Sequence, residues 1–300
     1  MVKDNSWSSR LLDVIIFISL LLLMIITIYP IVYIFSVSVS SSTAYEAGLV
    51  RFLPVDFTLS AYRIVFAAGT VPRSFVNSVI YTAVYTVVSL ALTTTMAYPL
   101  SRASSRVPFK AFFSVVVVVT MFFNAGIAPN YLVVRNLGLL DSMWALILPS
   151  AVSTYNLVVM RSFFQSVPET LEEAAFIDGA NEITIFTKIM LPLSKAALAT
   201  VGLFYGVYMW NSWFNAMLYL ADSSKFPLQL IIRQIIMQNQ MAAELAAMGD
   251  TSMLDAIGES VNTETVKYAT LFISVIPMVI VYPFIQKHFV KGVMVGGVKG

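Results

Sequence analysis

The stretch Ser166–Pro192, SVPETLEEAAFIDGANEITIFTKIMLP, lies between two long apolar runs and yet carries five acidic residues. Ser166 and Glu169 have the spacing of a capping box, and Pro168 suits the first turn of a helix. These signals predict a helix from about Pro168 to Asp178.

The residues that follow predict a turn and a second helix. Gly179 can adopt the left-handed conformation that commonly ends a helix, and Asn181 is a candidate N-cap. Pro192 should stop or kink the second helix, because proline has no backbone N–H to donate. The stretch is therefore expected to form a helix–turn–helix unit on the polar side of a membrane.

This unit resembles the EAA loop of the permease subunits of ATP-binding-cassette (ABC) importers. The residues in register with that motif are Glu173, Ala174, Ala175, Gly179, Ile189, Leu191 and Pro192. Asp178 and Ala180 complete the EAA–DGA form of the carbohydrate-uptake branch. Ala196 is a departure, since such permeases often have proline at that position.

The resemblance implies that the first helix docks into a cleft on a cytoplasmic ATPase and transmits its closure to the membrane domain. Small alanines would let the helix lie close to a groove, and acidic residues would meet basic groups of the partner. The coupling residues implied are Glu172, Glu173, Ala174, Ala175, Asp178, Gly179, Ala180, Ile189, Leu191 and Pro192. An ordinary amphipathic helix in a cytosolic loop is the alternative.

The composition is that of an integral membrane protein. Of the 300 residues, 58% are hydrophobic and 11% charged, whereas soluble proteins carry roughly 25% charged residues. The chain has no cysteine and a single histidine, His288, which excludes thiolate and histidine-rich metal sites. The net charge of +2 comes without a basic stripe, so no nucleic-acid partner is expected.

The pattern of apolar runs predicts an all-α polytopic membrane protein, a single permease domain over residues 1–300. A membrane-spanning helix needs about 20 apolar residues, and the first run is too long for a cleaved signal peptide. The six predicted spans are about 14–39, 75–100, 111–128, 142–160, 196–220 and 268–286. The connections expected are external loops at about 40–72 and 222–267, the coupling loop at about 162–195, and a cytoplasmic tail at 287–300.

Lysine and arginine predict the orientation, because they are enriched on the cytoplasmic side. One side carries Lys3, Arg10, Arg102, Arg106, Lys110, Arg161, Lys188, Lys195, Lys287, Lys291 and Lys299. The other carries Arg51, Arg63, Arg73, Arg135, Lys225, Arg233 and Lys267. Both termini and the EAA loop are therefore expected in the cytoplasm.

No arrangement of residues predicts an enzyme. His288 lies at the end of the last span and has no nucleophile beside it, and no glycine-rich phosphate loop is present. The chain should bind no cofactor, and ATP and Mg²⁺ are expected on partner ATPase subunits. No ionisable residue interrupts the six spans, which argues against a secondary transporter.

The fifth span contains the best candidates for contact with substrate. Aromatic rings can stack on sugar rings, and asparagine amides can hydrogen-bond hydroxyls. The candidates are Tyr205, Tyr208, Trp210, Asn211, Trp213, Phe214 and Asn215, with Asn124, Tyr155 and Asn156 in the third and fourth spans. Tyr208, Asn211 and Asn215 are expected to share one helix face. An aromatic belt at the outer interface of the membrane is the alternative.

The C-terminal tail KGVMVGGVKG resembles that of the smaller permease subunit of maltose-type importers. There the tail reaches between the two ATPase subunits, a role that Gly296, Gly297, Lys299 and Gly300 would share here. Glycines suit a narrow interface, since they have no side chain. A frayed tail is the alternative.

The resemblance as a whole implies the transmembrane domain of a type I ABC importer in a bacterial inner membrane. A second permease subunit, two ATPase subunits and an extracytoplasmic solute-binding protein are the partners it implies. The substrate would be an oligosaccharide, with uronate-containing chains as the nearest branch. The alternatives are an ABC permease for a non-sugar solute and a secondary transporter.

Overall fold

The computed structural model describes residues 7–103, 107–123, 125–247 and 264–296, with the backbone alone for residues 8, 243, 245–247 and 284–296. Within these residues all regular structure is helical. The helices are α1 (Trp7–Ser38), α2 (Ser42–Glu46), α3 (Ser60–Ala67), α4 (Thr70–Ser101), α5 (Lys110–Phe122), α6 (Ile127–Asn136), α7 (Met143–Ile147), α8 (Thr154–Ser166), α9 (Glu169–Ile177), α10 (Glu182–Ile185), α11 (Leu191–Leu193), α12 (Lys195–Trp210), α13 (Phe214–Tyr219), α14 (Leu228–Ala247) and α15 (Glu264–Gly296). Leu148–Ser150 and Ser223–Lys225 are 3₁₀ turns, and Phe186–Met190 is a π-helical segment.

Three helices in the described residues are long and apolar enough to cross a membrane unbroken: 9–38, 70–101 and 264–283. Three bent helix pairs meet the same test when each is counted as one span. They are 110–122 with 127–136, 143–150 with 154–166 (bent by 56°) and 182–193 with 195–210 (bent by 80°). Counted in this way the spans number up to six, as the sequence predicts.

The predicted fourth and fifth spans are broken rather than continuous helices. Pro149 lies in the 3₁₀ turn that separates α7 from α8, consistent with its lack of a backbone donor. The fifth span is interrupted between α12 and α13, where Asn211 caps α12 and its side-chain amide donates to the Val207 carbonyl at 2.8 Å. Side-chain amides compete with helical hydrogen bonds in this way. The expectation that Asn215 shares a helix face with Tyr208 and Asn211 is therefore wrong, because Asn215 lies on α13, beyond the break.

The described chain divides into two compact units, and the first comprises residues 1–72 and 232–276. Its small core consists of Val37, Ala44 and Val50, with the rings of Tyr45 and Tyr268 packed 5.6 Å apart against it. Ser41 caps α2 by accepting a hydrogen bond from the Ala44 backbone N–H. Hydroxyl caps of this kind satisfy donors that a helix leaves unpaired at its start.

The second unit comprises residues 73–231 and 277–300 and contains the larger core. Helices α4, α8 and α12 supply its most deeply buried large side chains, among them Tyr85, Phe164 and Tyr205. Gly202 lets α12 approach α4 closely, because a Cβ there would lie 3.2 Å from the Leu90 side chain. Small residues commonly permit such close packing between membrane helices.

A polar network joins Asn77 and Tyr81 of α4 to the segment that follows α13 and to Asp141, which lies between α6 and α7. The Lys225 ammonium donates to the Asp141 backbone carbonyl at 2.8 Å and to the Asp141 carboxylate at 2.5 Å. The Tyr81 hydroxyl donates to the Lys225 carbonyl at 2.9 Å, and the Asn77 amide donates to the carbonyls of Ser224 and Phe226. These bonds hold the chain around Lys225 against α4.

Candidate coupling and substrate sites

Helix α9 begins without the predicted capping box. Ser166 is the last residue of α8, and its hydroxyl donates to the Phe163 carbonyl at 2.7 Å instead of capping α9. Pro168 occupies the N-cap position with an extended ψ of 130° and makes no side-chain cap. The prediction failed because a serine hydroxyl in a last helical turn has a nearer carbonyl of its own helix available. The helix bounds agree with the prediction to within a residue at each end.

The turn after α9 has the geometry that the sequence predicts. Gly179 has φ of +82°, its N–H donates to the Phe176 carbonyl, and the Ala180 N–H donates to the Ala175 carbonyl. These two bonds form a Schellman motif, which is the commonest use of a left-handed glycine at a helix end. Asn181 then caps α10, because its side-chain oxygen accepts from the Thr184 backbone N–H at 2.8 Å.

The second helix of the unit continues through the π-helical segment into α11 and ends at Leu193, one residue beyond Pro192. Ser194 separates it from α12, and the axes on the two sides are bent by 80°. Ile189 and Leu191 are half-buried and pack against the core of the second unit. Ile189 and Leu191, in the downstream part of the EAA motif, therefore attach the helix–turn–helix to the membrane helices.

The side chains of the α9–turn–α10 unit divide into an exposed set and an inward set. Glu173, Ala174, Asp178 and Gly179 are exposed, whereas Ala175 is buried and Ala180 half-buried. Two exposed apolar side chains, Ile177 at 86% and Ile183 at 74% exposure, accompany the exposed set. The sequence reasoning missed both isoleucines, although an apolar residue next to the acidic Asp178 is a signal that could have identified Ile177. The exposed residues Glu173, Ala174, Ile177 and Asp178 lie at neighbouring positions on one side of α9 and form a mixed acidic and apolar surface, here named the docking face.

Glu172 departs from the prediction that it contacts a partner. Its side chain is 1% exposed and forms an ion pair with Arg102, which is 6% exposed and directly follows the last residue of α4. A carboxylate so enclosed is not accessible to another protein. The sequence reasoning used Arg102 only to predict orientation, because residues 70 positions apart give no local signal of contact.

Three further contacts lie at the C-terminal end of α4, close to Arg102. The Arg102 guanidinium lies 4.6 Å from the centre of the Tyr98 ring, and the Tyr98 hydroxyl donates to the Glu182 carboxylate at 2.6 Å. Arg161, on α8, donates through Nε to the Leu100 carbonyl at 3.0 Å. A cavity of about 340 Å³ adjoins Tyr98, Arg102 and Glu182. The end of α4 is thus bonded to α8, α9 and α10.

Among the substrate candidates, Tyr205 and Trp210 are enclosed within the second unit. Tyr205 is 1% exposed, and its hydroxyl accepts from the Ser153 N–H at 3.1 Å and shares a 2.6 Å hydrogen bond with Thr93. Trp210 is 5% exposed and makes an edge contact with Phe75. Both side chains therefore link helices to one another.

Other candidates are exposed and lie along α8 and α12. Tyr155 and Tyr208 are exposed, and the Tyr155 ring lies 6.4 Å from that of Phe204, one helical turn before Tyr208. Asn211 is exposed at the end of the same face. Tyr155, Phe204, Tyr208 and Asn211 together are named the aromatic strip. Phe204 was not among the predicted residues, although its i, i+4 spacing to Tyr208 places it on the same face.

The remaining predicted residues lie elsewhere. Asn156 is buried, Asn215 and Trp213 are half-buried, and Trp213 makes an edge contact with Phe214 at 5.6 Å. Asn124 lies outside the described residues, as do Gly297, Lys299 and Gly300 of the tail, whereas the backbone of Gly296 ends α15. In the described residues no group of three or more His, Cys, Asp or Glu side chains could hold a metal ion.

Asp141 carries the one large pKa shift found for a described carboxyl group. The hydrogen bond from Lys225 lowers the pKa of Asp141 to about 2, with further lowering by the backbone N–H groups of Asp222 and Ala221. The Ser224 hydroxyl and N–H likewise lower the pKa of Asp222 below its usual value. Both groups lie in the network around Lys225, far along the sequence from the α9–turn–α10 unit.

Comparisons with known proteins agree on one family. A family model described as "Binding-protein-dependent transport system inner membrane component" matches residues 80–295. The polygalacturonan/rhamnogalacturonan transport system permease protein YtcP of Bacillus subtilis is 42% identical over 295 residues, which are 97% of this chain and 99% of that protein. Protein LplC of the same organism is 44% identical over 92% of this chain and 90% of its own length. A solved structure of a bacterial ABC transporter involved in the import of the acidic polysaccharide alginate contains a similar chain, with a TM-score of 0.83, 36% identity and coverage of 95% and 99%.

Proposed function

Because the chain belongs to the family of binding-protein-dependent transport system inner membrane components, we propose that it is one of two permease subunits of a bacterial ABC importer for an oligosaccharide. The second permease would supply the other wall of the pathway. Two ATPase subunits would bind ATP and Mg²⁺, and an extracytoplasmic binding protein would deliver the substrate. This chain would then perform no chemical step itself.

The observation that carries the proposal is the exposed docking face on a helix that is fixed to the membrane domain. Glu173 and Asp178 offer negative charge, Ala174 permits close approach, and Ile177 offers apolar area. Such a mixture suits a cleft with basic groups at its rim and an apolar floor. We assign this face to the ATPase and therefore assign the α9–turn–α10 unit and both termini to the cytoplasm.

We assign the aromatic strip to the substrate pathway. The side chains of Tyr155 and Tyr208 are exposed, and aromatic rings can stack on the C–H faces of pyranose rings. The Asn211 amide can donate hydrogen bonds to hydroxyls and accept them. Relatives named for polygalacturonan, rhamnogalacturonan and alginate transport favour a uronate-containing oligosaccharide. A neutral strip is compatible with such a chain if the binding protein or second permease supplies the cations.

The docking role is tested by reversing the charge of Glu173 in the complex reconstituted into proteoliposomes. Glu173→Lys should lower the ATP hydrolysis that the loaded binding protein stimulates by at least about tenfold, since couplings of this kind span roughly 5- to 150-fold. Glu46→Lys is the matched control, because Glu46 is an exposed glutamate at the end of α2. The control should stay within about twofold of the parental rate by the same measure.

Equal stimulated hydrolysis in Glu173→Lys and Glu46→Lys would contradict the docking role. Uptake by the purified chain alone, without any ATPase, would instead support a secondary transporter.

A further inference from the structure

The chain connections at the two ends of α9 do not by themselves fix the orientation of this helix. On one side Val167 and Pro168 are extended, and on the other Gly179 has a left-handed backbone. Neither connection is helical, so each can absorb rotation about single backbone bonds. A helix held only at these two ends could pivot about the line between them, and a push on the docking face would then move α9 alone.

Glu172 supplies a third point of attachment, and it lies on the side of α9 that faces α4. Its ion pair with Arg102 is enclosed, at 1% and 6% exposure, so water does not compete for either charge. The Tyr98 ring packs on the guanidinium of Arg102 and restricts its orientation. Three points define the orientation of a rigid body, so α9 cannot turn without α4.

The same turn of α4 also holds α10, but through a looser contact. Tyr98 donates to Glu182, whose side chain is exposed and borders the cavity of about 340 Å³. The exposed Glu182 carboxylate borders this space, whereas Glu172 is 1% exposed and does not line the cavity. The α10 contact can therefore readjust while the α9 contact stays closed.

We infer that Arg102 and Glu172 are a positioning pair that transmits the movement of α9 to α4. The inference rests on the proposed docking role of α9. α4 is a continuous helix of 32 residues, about 48 Å long at 1.5 Å per residue. Its far end carries Asn77 and Tyr81, which are bonded to the segment around Lys225. A displacement of Arg102 would therefore move α4 as one helix and displace Asn77 and Tyr81 near its start.

Stability alone does not explain the pair. Buried ion pairs are often matched or exceeded in stability by apolar residues of similar volume, whereas loss of one partner leaves an uncompensated buried charge. Directional, charge-assisted bonds fix geometry in a way that apolar contacts do not. Replacement of both partners by apolar residues should therefore keep the fold and lose the fixed angle between α9 and α4.

The test uses the reconstituted complex with Arg102→Met/Glu172→Leu and with the charge-reversed Arg102→Glu/Glu172→Arg. A photo-crosslinker on Leu171→Cys, an exposed position of α9 outside the docking face, reports docking to the ATPase, and the native chain has no cysteine to interfere. Spin labels at Thr170→Cys on α9 and Thr95→Cys on α4, both exposed, report the width of the distance distribution between the helices. ATP hydrolysis is measured with the binding protein loaded with oligogalacturonate.

In the apolar double variant, cross-linking should stay within about twofold of the parental yield while stimulated hydrolysis falls at least about tenfold. The distance distribution should broaden. Reversal of the charges should restore a narrow distribution and more than half of the stimulation. Tyr98→Leu, which removes the ring that restricts Arg102, should broaden the distribution, whereas Tyr98→Phe, which keeps the ring and removes only the hydroxyl bonded to Glu182, should leave it narrow. A narrow distribution in Tyr98→Leu would overturn the inference, also where the double variants do not fold.

Parental stimulation and a narrow distribution in the apolar double variant would overturn the inference. A charge-reversed variant that folds and stays as inactive as the apolar one would also overturn it. Absence of cross-linking in the parental chain would refute the docking role on which the inference rests, and the two failures are therefore distinguishable.

Discussion

Glu172 and Glu173 are neighbours in the sequence, and at the scale of single residues their surroundings are opposite. Glu172 is enclosed and paired with Arg102, and Glu173 is exposed on the docking face. Successive residues of a helix are rotated by about 100°, so adjacent positions can face different environments. Removal of one partner of a buried pair typically costs about 3–5 kcal/mol, which is why the paired substitutions above are more informative than single ones.

Asp141 is a second residue whose role depends on its partners. It has φ of +57°, a conformation that aspartate tolerates better than most residues, and its N–H donates to the Tyr219 carbonyl at 2.8 Å. Its carboxylate accepts from Lys225 and from the backbone N–H groups of Ala221 and Asp222. Three donors to one carboxylate favour the charged form and lower its pKa.

This network should make the protein sensitive to acid at Asp141. The pKa is about 2 in the folded protein and near 4 in an unfolded chain, so the stabilisation is complete above pH 4 and is lost as the pH falls towards 2. Thermal unfolding in detergent should show a smaller difference between the parental protein and Asp141→Asn at pH 3 than at pH 7. Ser223→Ala, in the neighbouring turn, is the control. A difference that does not change between these pH values would contradict the assignment.

At the scale of elements, α12 and the start of α8 present the aromatic strip on one side and bury Tyr205 on the other. The break after α12 places Asn211 at the end of the exposed face instead of in mid-helix. A broken helix at membrane depth is tolerated where it lines a cavity or is covered by protein. The aromatic strip lies on the exposed side of α12, and the break leaves Asn211 at the end of that side. Both observations favour a pathway along this side of α12.

Tyr208→Ala with Asn211→Ala should reduce uptake by the reconstituted complex and leave basal ATP hydrolysis unchanged. The double variant removes one stacking face and one hydroxyl partner, and a loss of about 10- to 100-fold is expected from about 1–3 kcal/mol of binding. Phe214→Ala is the control, because Phe214 is also exposed but lies beyond the strip on α13. Parental uptake in the double variant, or equal loss in the control, would exclude the strip from the pathway.

At the scale of the whole molecule, the chain is an inner membrane component of the binding-protein-dependent transport family. It has no phosphate-binding loop, and its net charge of +2 is spread over 34 charged side chains, 18 basic and 16 acidic. The three uninterrupted apolar helices of the described residues are long and apolar enough to cross a membrane, and so are the three bent pairs when each is counted as one span. The proposed contact between the docking face and an ATPase requires this face to lie on the cytoplasmic side of the membrane.

Cysteine labelling should determine that side. Glu173→Cys should react with an impermeant maleimide in inside-out vesicles alone, and Glu46→Cys in right-side-out vesicles alone. Both positions are exposed, and the chain contains no other cysteine, so reactivity reports sidedness directly. Labelling of Glu173→Cys from outside would refute the assigned orientation together with the docking role.

Much of the local structure could be predicted because its causes are local. The hydrogen bonds of the turn at Gly179 and of the Asn181 cap join residues at most five positions apart. Two local predictions were wrong, one because another hydrogen-bond acceptor lay nearer and the other because the helix was broken. Ser166 bonded to its own helix, and Asn211 ended α12 before Asn215 could join it.

From the sequence alone come the membrane class, the number of spans, the helix–turn–helix and the family. All of these follow from composition, hydrophobic periodicity and helix capping, which depend on residues that are close together in the sequence. The tertiary structure alone decided that Glu172 is paired with Arg102 and that Tyr205 is an internal link between helices. Burial and pairing depend on which distant segments come together, and no local pattern of residues encodes that contact.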